Sequence, residues 1–213
     1  MGFGPSEIIL VLGSYLIGAI PFAYIVTKLF MGIDIRTVGS KNVGFSNVYR
    51  IVGPGPGVLV LIGDIGKGAL AVWLARRMGG ADWVLVLAGL LAVVGHSWTV
   101  FLSFKGGKGV ATACGVLFSL MPVEGLVAVG IFVTLVALSR MISLGSMVAA
   151  ATLPFVHIFA SLMRGTPIST AFLAFCVITA ALVLVRHRAN FTRILSGTET
   201  KFEFKPERGG GES

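Results

Sequence analysis

Long apolar runs alternate with short polar stretches along this chain, and the runs have the length of membrane-spanning helices. The apolar runs cover residues 8–30, 57–76, 83–103, 109–139, 143–163 and 168–186. A helix needs about 20 apolar residues to cross a hydrocarbon core of about 30 Å. Because lipid offers no hydrogen-bond partners, the backbone of each run has to satisfy itself as a helix. The pattern therefore predicts an all-α polytopic membrane protein.

The fourth run is too long for one crossing. Its 31 residues would form a helix of roughly 46 Å at a rise of about 1.5 Å per residue. Pro122 and Glu124 lie near its middle, where a helix breaker and a charge are both unfavourable in lipid. Two shorter or tilted helices that meet near Pro122 fit this run better. The chain is therefore predicted to cross the membrane seven times.

The charges in the loops predict the orientation. The first charge is Glu7, and Lys28 and Arg36 come at the end of the first run or after it, which indicates a retained first helix with its N-terminus outside. With seven crossings, the cytoplasmic loops carry Arg36, Lys41, Arg50, Lys105, Lys108, Arg140, Arg186, Arg188 and Arg193. The opposite loops carry only Arg76, Arg77 and Arg164. The positive-inside rule favours this arrangement over six crossings and places the C-terminus in the cytoplasm.

The composition supports the membrane class and argues against others. Of 213 residues, 55% are hydrophobic and 12% are charged, which is typical of a polytopic helical protein. The net charge of +8 would suit nucleic acid in a soluble protein, but the positive-inside rule accounts for it here, and no nucleic-acid partner is expected. Residues 1–200 are predicted to form a single membrane domain, followed by a flexible polar tail at 201–213.

Polar residues inside the apolar runs have structural interpretations. Asp64 and Lys67 are three apart and are predicted to pair on one helix face, with either a structural or a functional role. His96 is expected to form an interhelical hydrogen bond, and His157 to act as a packing residue. The thiols of Cys114 and Cys176 are expected to be buried and reduced. No group of His, Cys, Asp and Glu residues has metal-ligand spacing, so neither a metal nor a cofactor is predicted.

Three polar, glycine-rich clusters interrupt the apolar pattern, all on the predicted cytoplasmic side. The first cluster contains Ser40, Asn42, Gly44, Ser46, Asn47 and Arg50. Its small hydroxyl and amide groups suit an oxyanion, and an arginine suits bidentate contact with phosphate. Ordinary loops also favour Ser, Asn and Gly, so an anion site and a plain loop both fit.

The second cluster contains Lys105, Gly106, Gly107 and Lys108. Its spacing is not that of a Walker A motif. Glycines would nevertheless let backbone N–H groups approach an anion, and a helix that starts near Val110 would direct its positive end at the same ligand. A basic interfacial loop with a sharp turn fits the same residues.

The third cluster places His187 between Arg186 and Arg188, with Asn190 and Arg193 after it. His187 and Asn190 are three apart and share one face of a helix. The flanking cations are expected to keep the imidazole neutral. Arginines that position a helix end at the membrane surface fit the cluster as well.

Taken together, the clusters resemble the motifs of the bacterial acyl-phosphate:glycerol-3-phosphate acyltransferases, the integral membrane PlsY family. The resemblance covers about residues 8–201. It rests on Gly39-Ser40-x-Asn42-x-Gly44-x-Ser46-Asn47 with Arg50, on Gly95-His96 and Phe104-Lys105-Gly106-Gly107-Lys108-Gly109, on Ser143-Leu144-x-Ser146, and on Arg186-His187-Arg188-x-Asn190-x-x-Arg193 with Gly197 and Glu199. The sequence departs from the family pattern at Phe45, Ser46, Trp98-Thr99 and Met141.

The resemblance implies a seven-helix enzyme in the bacterial inner membrane with its active site on the cytoplasmic side. It would transfer a fatty acyl group from acyl phosphate to the 1-hydroxyl of glycerol 3-phosphate, giving lysophosphatidic acid and phosphate, in the first acylation of phospholipid synthesis. Neither acyl-CoA nor acyl-carrier protein would be needed. No acyl-enzyme would form, and the donor's own phosphate would take the hydroxyl proton.

Roles for the clusters follow from that reaction. The first cluster, especially Ser40, Asn42, Ser46 and Asn47, would hold the phosphate of the donor. The cations Arg50, Lys105 and Lys108 would hold that of glycerol 3-phosphate. Gly44, Gly106 and Gly107 are further expected phosphate-binding residues. His187 and Asn190, with Ser143 or Ser146, would orient the reacting carbonyl and hydroxyl groups and are the expected catalytic residues.

Two other classes of function fit part of the pattern. A membrane carrier for an organophosphate anion would also line its cavity with basic residues, but it predicts anion-binding groups near the bilayer midplane. A non-catalytic protein that binds lipid head groups is the third possibility. Chemical turnover distinguishes the enzyme from both.

Overall fold

The structure, a computed structural model, describes residues 4–203. Within that range every regular element is helical, which confirms the predicted all-α class. The helices are α1 (Pro5–Ala19), α2 (Phe22–Met31), α3 (Phe45–Ile51), α4 (Pro54–Arg77), α5 (Asp82–Ser97), a short 3₁₀ helix (Val100–Leu102), α6 (Val110–Leu120), α7 (Pro122–Ser139), α8 (Ile142–Arg164), α9 (Thr170–Arg186) and α10 (Arg188–Leu195).

Several of these helices have the length and hydropathy to cross a membrane. Within residues 4–203, five stretches qualify: Pro5–Met31, Pro54–Arg77, Asp82–Leu102, Pro122–Ser139 and Ile142–Arg164. A sixth forms when α9 is taken together with α10, from which it is bent by 61°. Helix α6 is apolar but shorter. The chain is a multi-span membrane protein, while the count of seven crossings and their orientation stay predictions.

The predicted break in the fourth apolar run is confirmed. Helix α6 ends at Leu120, Met121 is non-helical, and α7 begins at Pro122. Proline suits the first position of a helix because its missing N–H would have no partner there. Residues 201–203 of the predicted polar tail are described, and 204–213 lie outside the described residues. The flexible tail therefore stays a prediction.

Glycines let helices α1 and α5 approach each other backbone to backbone. A Cβ on Gly18 of α1 would meet the Ala92 carbonyl oxygen of α5 at 2.0 Å, and one on Gly95 of α5 would meet the Tyr15 oxygen of α1 at 2.1 Å. Such close approach is how small residues stabilise helix pairs in lipid. Any larger residue at Gly18 or Gly95 would force α1 and α5 apart.

The loop between α2 and α3 carries the first polar cluster together with α3, and both are folded onto the other helices. Ile35, Val43 and Val48 are buried and share a hydrophobic cluster with Val60 of α4 and Leu102 of the 3₁₀ helix. These apolar contacts fix the polar residues that lie between them in the sequence.

Candidate functional site

One cavity of about 640 Å³ brings the three polar clusters together. Eleven of the fourteen predicted site residues line it: Ser40, Asn42, Gly44, Ser46, Arg50, Gly106, Lys108, Ser143, Ser146, His187 and Asn190. Asn47, Lys105 and Gly107 are outside the lining. Deeper in the helices the same cavity becomes an apolar arm between α4, α6, α7, α8 and α9. A polar end and an apolar arm thus form one continuous space.

The buried side chain of Asn47 holds the backbone of the first cluster in place. It is fully buried, and its Oδ1 accepts a hydrogen bond of 3.0 Å from the Ser40 N–H. Its Nδ2 donates to the carbonyl oxygens of Ile35, Val38 and Asn42 at 3.1–3.3 Å. The amide is committed to the backbone, so Asn47 shapes the loop in place of the phosphate contact that the sequence suggested.

Gly106 and Gly107 of the second cluster let its loop pack against the end of α5. The N–H of Gly106 donates to Ser97 O at 3.2 Å and that of Gly107 to His96 O at 3.1 Å. A Cβ on Gly106 would lie 2.0 Å from the His96 oxygen. The N–H groups therefore point into the end of α5, not at an anion as predicted from sequence. Glycine is required here because the loop lies directly on α5.

Arg186 holds the same loop from the other side. Its guanidinium group donates to the carbonyl oxygens of Gly106 and Gly107 at 2.8–3.1 Å, and it lies 5.2 Å from the centroid of the Trp98 ring. The end of α9 is thereby fixed to the loop that precedes α6. This contact replaces the interpretation of Arg186 as a surface residue that only positions a helix end.

Lys108 projects into the cavity, where α6 begins at Val110 as predicted. Its Nζ donates to Asn190 Oδ1 at 2.5 Å. The pKa of Lys108 is lowered to about 8, mainly by burial and also by the neighbouring arginines, while Glu199 opposes them. The positive end of α6 faces the same space, so a cation and a helix N-terminus together favour an anion here.

Glu199 joins the third cluster to α8, and the site prediction from sequence omitted it. Its Oε1 accepts hydrogen bonds of 2.6 Å from Ser143 and from Asn190, and its Oε2 accepts one of 2.8 Å from Arg193. Burial alone would raise the pKa of Glu199, but these three hydrogen bonds outweigh it and the pKa is lowered. In the sequence, Glu199 lies in a polar stretch after the last helix, where a carboxylate gives no signal of a site. Only the motif resemblance included it.

His187 lies at the bend between α9 and α10. Its Nδ1 is 2.8 Å from Val183 O, so Nδ1 carries the proton and Nε2 keeps a lone pair. Burial, and then the charge of Lys108, lower the pKa of His187 to about 4. The ring is therefore neutral at physiological pH, as the flanking cations predicted, and Nε2 is able to accept a hydrogen bond from a hydroxyl group.

A buried ionic group lies beside the polar end. Lys67 Nζ is 2.7 Å from Asp64 Oδ1 and donates to the Ile20 carbonyl at the break between α1 and α2 at 2.8 Å. His96 Nδ1 lies 3.4 Å from the same carboxylate oxygen. The predicted ion pair between Asp64 and Lys67 is confirmed, and His96 of α5 contacts Asp64 of α4, while the hydrogen bond expected for His96 stays a prediction. The structure adds that Asp64 and His96 both line the cavity.

The last described residues cross the polar end. The N–H of Phe202 donates to Arg140 O at 2.6 Å. Its ring centroid is 4.9 Å from that of Tyr49 and 6.3 Å from that of Phe45. Phe45, a departure from the family pattern, therefore belongs to an aromatic group that ties α3 to the C-terminal segment.

These features define a class: a helical membrane protein whose cavity pairs a cationic, hydroxyl-rich end with an apolar arm, as an amphiphilic phosphate compound would require. Comparisons with known proteins agree. The family model for glycerol-3-phosphate acyltransferase matches residues 8–197. The chain belongs to this family, known as PlsY, and is an acyltransferase.

Individual relatives match nearly the whole chain. Glycerol-3-phosphate acyltransferase of Synechococcus sp. (strain CC9902) is 45% identical over 92% of this chain and 95% of its own length. That of Trichlorobacter lovleyi is 46% identical over 90% and 95%. The crystal structure of PlsY, an integral membrane glycerol 3-phosphate acyltransferase, in its glycerol 3-phosphate form is similar with a TM-score of 0.84 at 39% identity, over 93% of this chain and 96% of that one. Its lysophosphatidic acid form gives a TM-score of 0.82 at 38% identity.

Proposed function

We propose that the protein transfers a fatty acyl group from acyl phosphate to the 1-hydroxyl of glycerol 3-phosphate, releasing lysophosphatidic acid and phosphate. The observation that carries the proposal is the single cavity in which a cationic end continues into an apolar arm. Both substrates carry phosphate, and one carries a long hydrocarbon chain. The related PlsY has been crystallised in glycerol 3-phosphate and lysophosphatidic acid forms, which supports the acceptor and the product.

Two groups of side chains at the polar end suit the two phosphates. Ser40, Asn42 and Ser46 offer hydroxyl and amide groups on one wall and are assigned to the phosphate of the donor. Lys108 and Arg50 are assigned to glycerol 3-phosphate, since a compact cation and a guanidinium group both suit a phosphate dianion. Lys105 is exposed and outside the lining, so it has no direct contact in this assignment.

The reaction needs positioning more than a strong base. The acceptor hydroxyl oxygen attacks the acyl carbon, the bond from that carbon to the phosphate oxygen breaks, and the departing phosphate takes the hydroxyl proton. His187, with a pKa of about 4, is too weak a base to remove that proton, but its Nε2 orients the hydroxyl group. Asn190 and Ser143, both fixed by Glu199, frame the reacting carbonyl. Pre-arranged dipoles of this kind stabilise the charge that develops at the transition state.

The proposal includes the setting of the reaction. Residues 1–200 form one domain that crosses the bacterial inner membrane seven times, with the N-terminus outside and the cavity open to the cytoplasm. Cytoplasmic access suits a water-soluble acceptor, and the apolar arm suits a donor that arrives from the bilayer. Acyl-CoA and acyl-carrier protein are not used.

The test is turnover with alternative donors. Purified protein in detergent is mixed with glycerol 3-phosphate and palmitoyl phosphate, and free phosphate and lysophosphatidic acid are measured in the same samples. Equal amounts of both, with none from palmitoyl-CoA or palmitoylated acyl-carrier protein, are expected. Product from either thioester at a comparable rate would refute the donor assignment. Binding of glycerol 3-phosphate without any product would favour a carrier.

A further inference from the structure

The apolar arm owes its width to small side chains on facing helices. Ala113 of α6 and Ala149 and Ala150 of α8 line its middle. Thr179 of α9 completes the wall. Larger side chains at these positions would fill the space between the helices, so the small ones are what keeps it open.

The arm ends against packed core on three helices. Leu117 of α6, Ala128 of α7 and Leu153 of α8 are the lining residues farthest from the polar end on their helices. All three are buried and belong to the hydrophobic cluster that also contains Met121 and Phe175. The cavity therefore has a floor, made of side chains that the protein interior holds in place.

An ionic group around the buried carboxylate of Glu124 lies one helical turn beyond that floor. Glu124, four residues before Ala128, accepts hydrogen bonds from Arg164 at 3.1 and 3.3 Å. Its Oε1 also lies 3.4 Å from Nδ1 of His157, four residues after Leu153. Glu124 is 1% exposed, whereas the Arg164 side chain is 42% exposed, and these contacts tie α7 to α8 directly beneath the floor.

The depth of the arm follows from helix geometry. Ser143 at the polar end and Leu153 at the floor are ten residues apart on α8, which corresponds to about 15 Å along the helix. With C–C bonds of about 1.5 Å in a zigzag, an extended hydrocarbon of roughly a dozen carbons spans this distance. Longer chains reach the floor and have to bend there.

We propose that Leu117, Ala128 and Leu153 determine which acyl-chain lengths the enzyme prefers. This inference rests on the proposed function, because it assigns the arm to the acyl chain of the donor. An acyl chain that ends at the floor contacts the wall of the arm through each of its methylene groups. An acyl chain that meets a larger side chain at the floor is overpacked. The floor therefore sets the chain length at which added carbons stop contributing to binding.

The test compares chain-length profiles of floor variants. Decanoyl, lauroyl, myristoyl and palmitoyl phosphates are assayed with glycerol 3-phosphate, and kcat/KM is taken for each. Ala128→Leu is expected to shift the kcat/KM ratio of palmitoyl to lauroyl phosphate about tenfold toward the shorter donor, the effect of one or two methylenes in a closed pocket. Leu117→Ala is expected to shift the ratio toward the longer donor. The opposite directions separate a length limit from general damage.

Val127→Leu is the matched control, because Val127 precedes Ala128 on α7 but is 43% exposed and outside the cavity lining. Its profile should equal that of the wild type. If Ala128→Leu does not fold, the smaller change Ala128→Val carries the same test together with Leu117→Ala. Active floor variants with the wild-type profile would overturn the inference and leave the proposed function standing. A wild-type protein inactive with all four donors would overturn the proposed function, and this inference with it.

Discussion

Lys108 and Asn190, 82 positions apart in the chain, are joined by a hydrogen bond of 2.5 Å from Nζ to Oδ1. The bond connects the loop before α6 to α10. Asn190 continues the connection through its Nδ2, which donates to Glu199 Oε1. A cation, an amide and a carboxylate thus form one chain of contacts at the polar end, so the charge of Lys108 depends on the state of its neighbours.

The charge of Lys108 should appear in the pH dependence. Lys108 has a pKa of about 8 and is assigned to the phosphate of glycerol 3-phosphate, so kcat/KM for glycerol 3-phosphate should fall as pH rises through about 8. This parameter reports ionisation in the free enzyme. Lys108→Arg should lack the fall, because arginine stays charged throughout this range. A wild-type profile that stays flat to pH of about 10 would contradict the assignment.

Removing the Glu199 charge should shift the alkaline fall in kcat/KM to a different pH. Glu199 raises the pKa of Lys108 against the effects of burial and the arginines, so Glu199→Gln should lower that pKa further. The alkaline fall in kcat/KM should then begin at lower pH than in the wild type. Glutamine keeps an oxygen that can accept from Ser143 or Asn190, which limits structural damage. If the fall in Glu199→Gln occurs at the same pH as in the wild type, or at higher pH, Glu199 does not raise the pKa of Lys108.

His187 should affect chemistry more than binding. His187→Gln removes the imidazole Nε2 and should reduce kcat by at least about 10²-fold, the scale of a lost group that stabilises a transition state. The KM for glycerol 3-phosphate should change little, because the phosphate is held by other residues. Arg188→Gln, at the exposed neighbouring position outside the cavity lining, is the control and should keep kcat near the wild-type value. A folded His187→Gln enzyme with normal kcat would exclude His187 from the reaction.

Arg186 should act through the loop it holds. Arg186→Lys loses the paired hydrogen bonds to Gly106 and Gly107 and should raise the KM for glycerol 3-phosphate about tenfold, since each lost bond amounts to about 1 kcal/mol. Arg188→Lys makes the same change at an exposed position and should leave KM unaltered. Equal effects in the two variants would indicate a general response to arginine loss.

The hydrophobic pattern predicted much of this fold. The break at Pro122, the start of α6 at Val110 and the meeting of the three clusters all follow from spacing and loop charge. These features depend on local rules, since a proline in a long apolar run or a charge asymmetry between loops has the same consequence in most membrane proteins.

The uses of individual polar groups could not be predicted in the same way. Asn47 and Ser40 are both small polar residues of the first cluster. The side-chain amide of Asn47 nevertheless has all its hydrogen bonds to three carbonyl groups and one N–H, while Ser40 lines the cavity. Likewise, Gly106 and Gly107 accept the close approach of α5 in place of an anion. Glu199 becomes part of the site only because the chain turns back after α10. Each outcome depends on partners that are remote in sequence.

Two lysines of one loop provide the most direct test of the account. Lys108 lines the cavity and bonds to Asn190, whereas Lys105, three residues earlier, is exposed and outside the lining. Initial rates of lysophosphatidic acid formation from palmitoyl phosphate and glycerol 3-phosphate are measured for Lys108→Met and Lys105→Met, with folding checked for both. Lys108→Met should lose at least about 10²-fold in rate, and Lys105→Met should stay close to the wild type. Equal losses, or a larger loss for Lys105→Met, would contradict the claim that this cavity is the catalytic site.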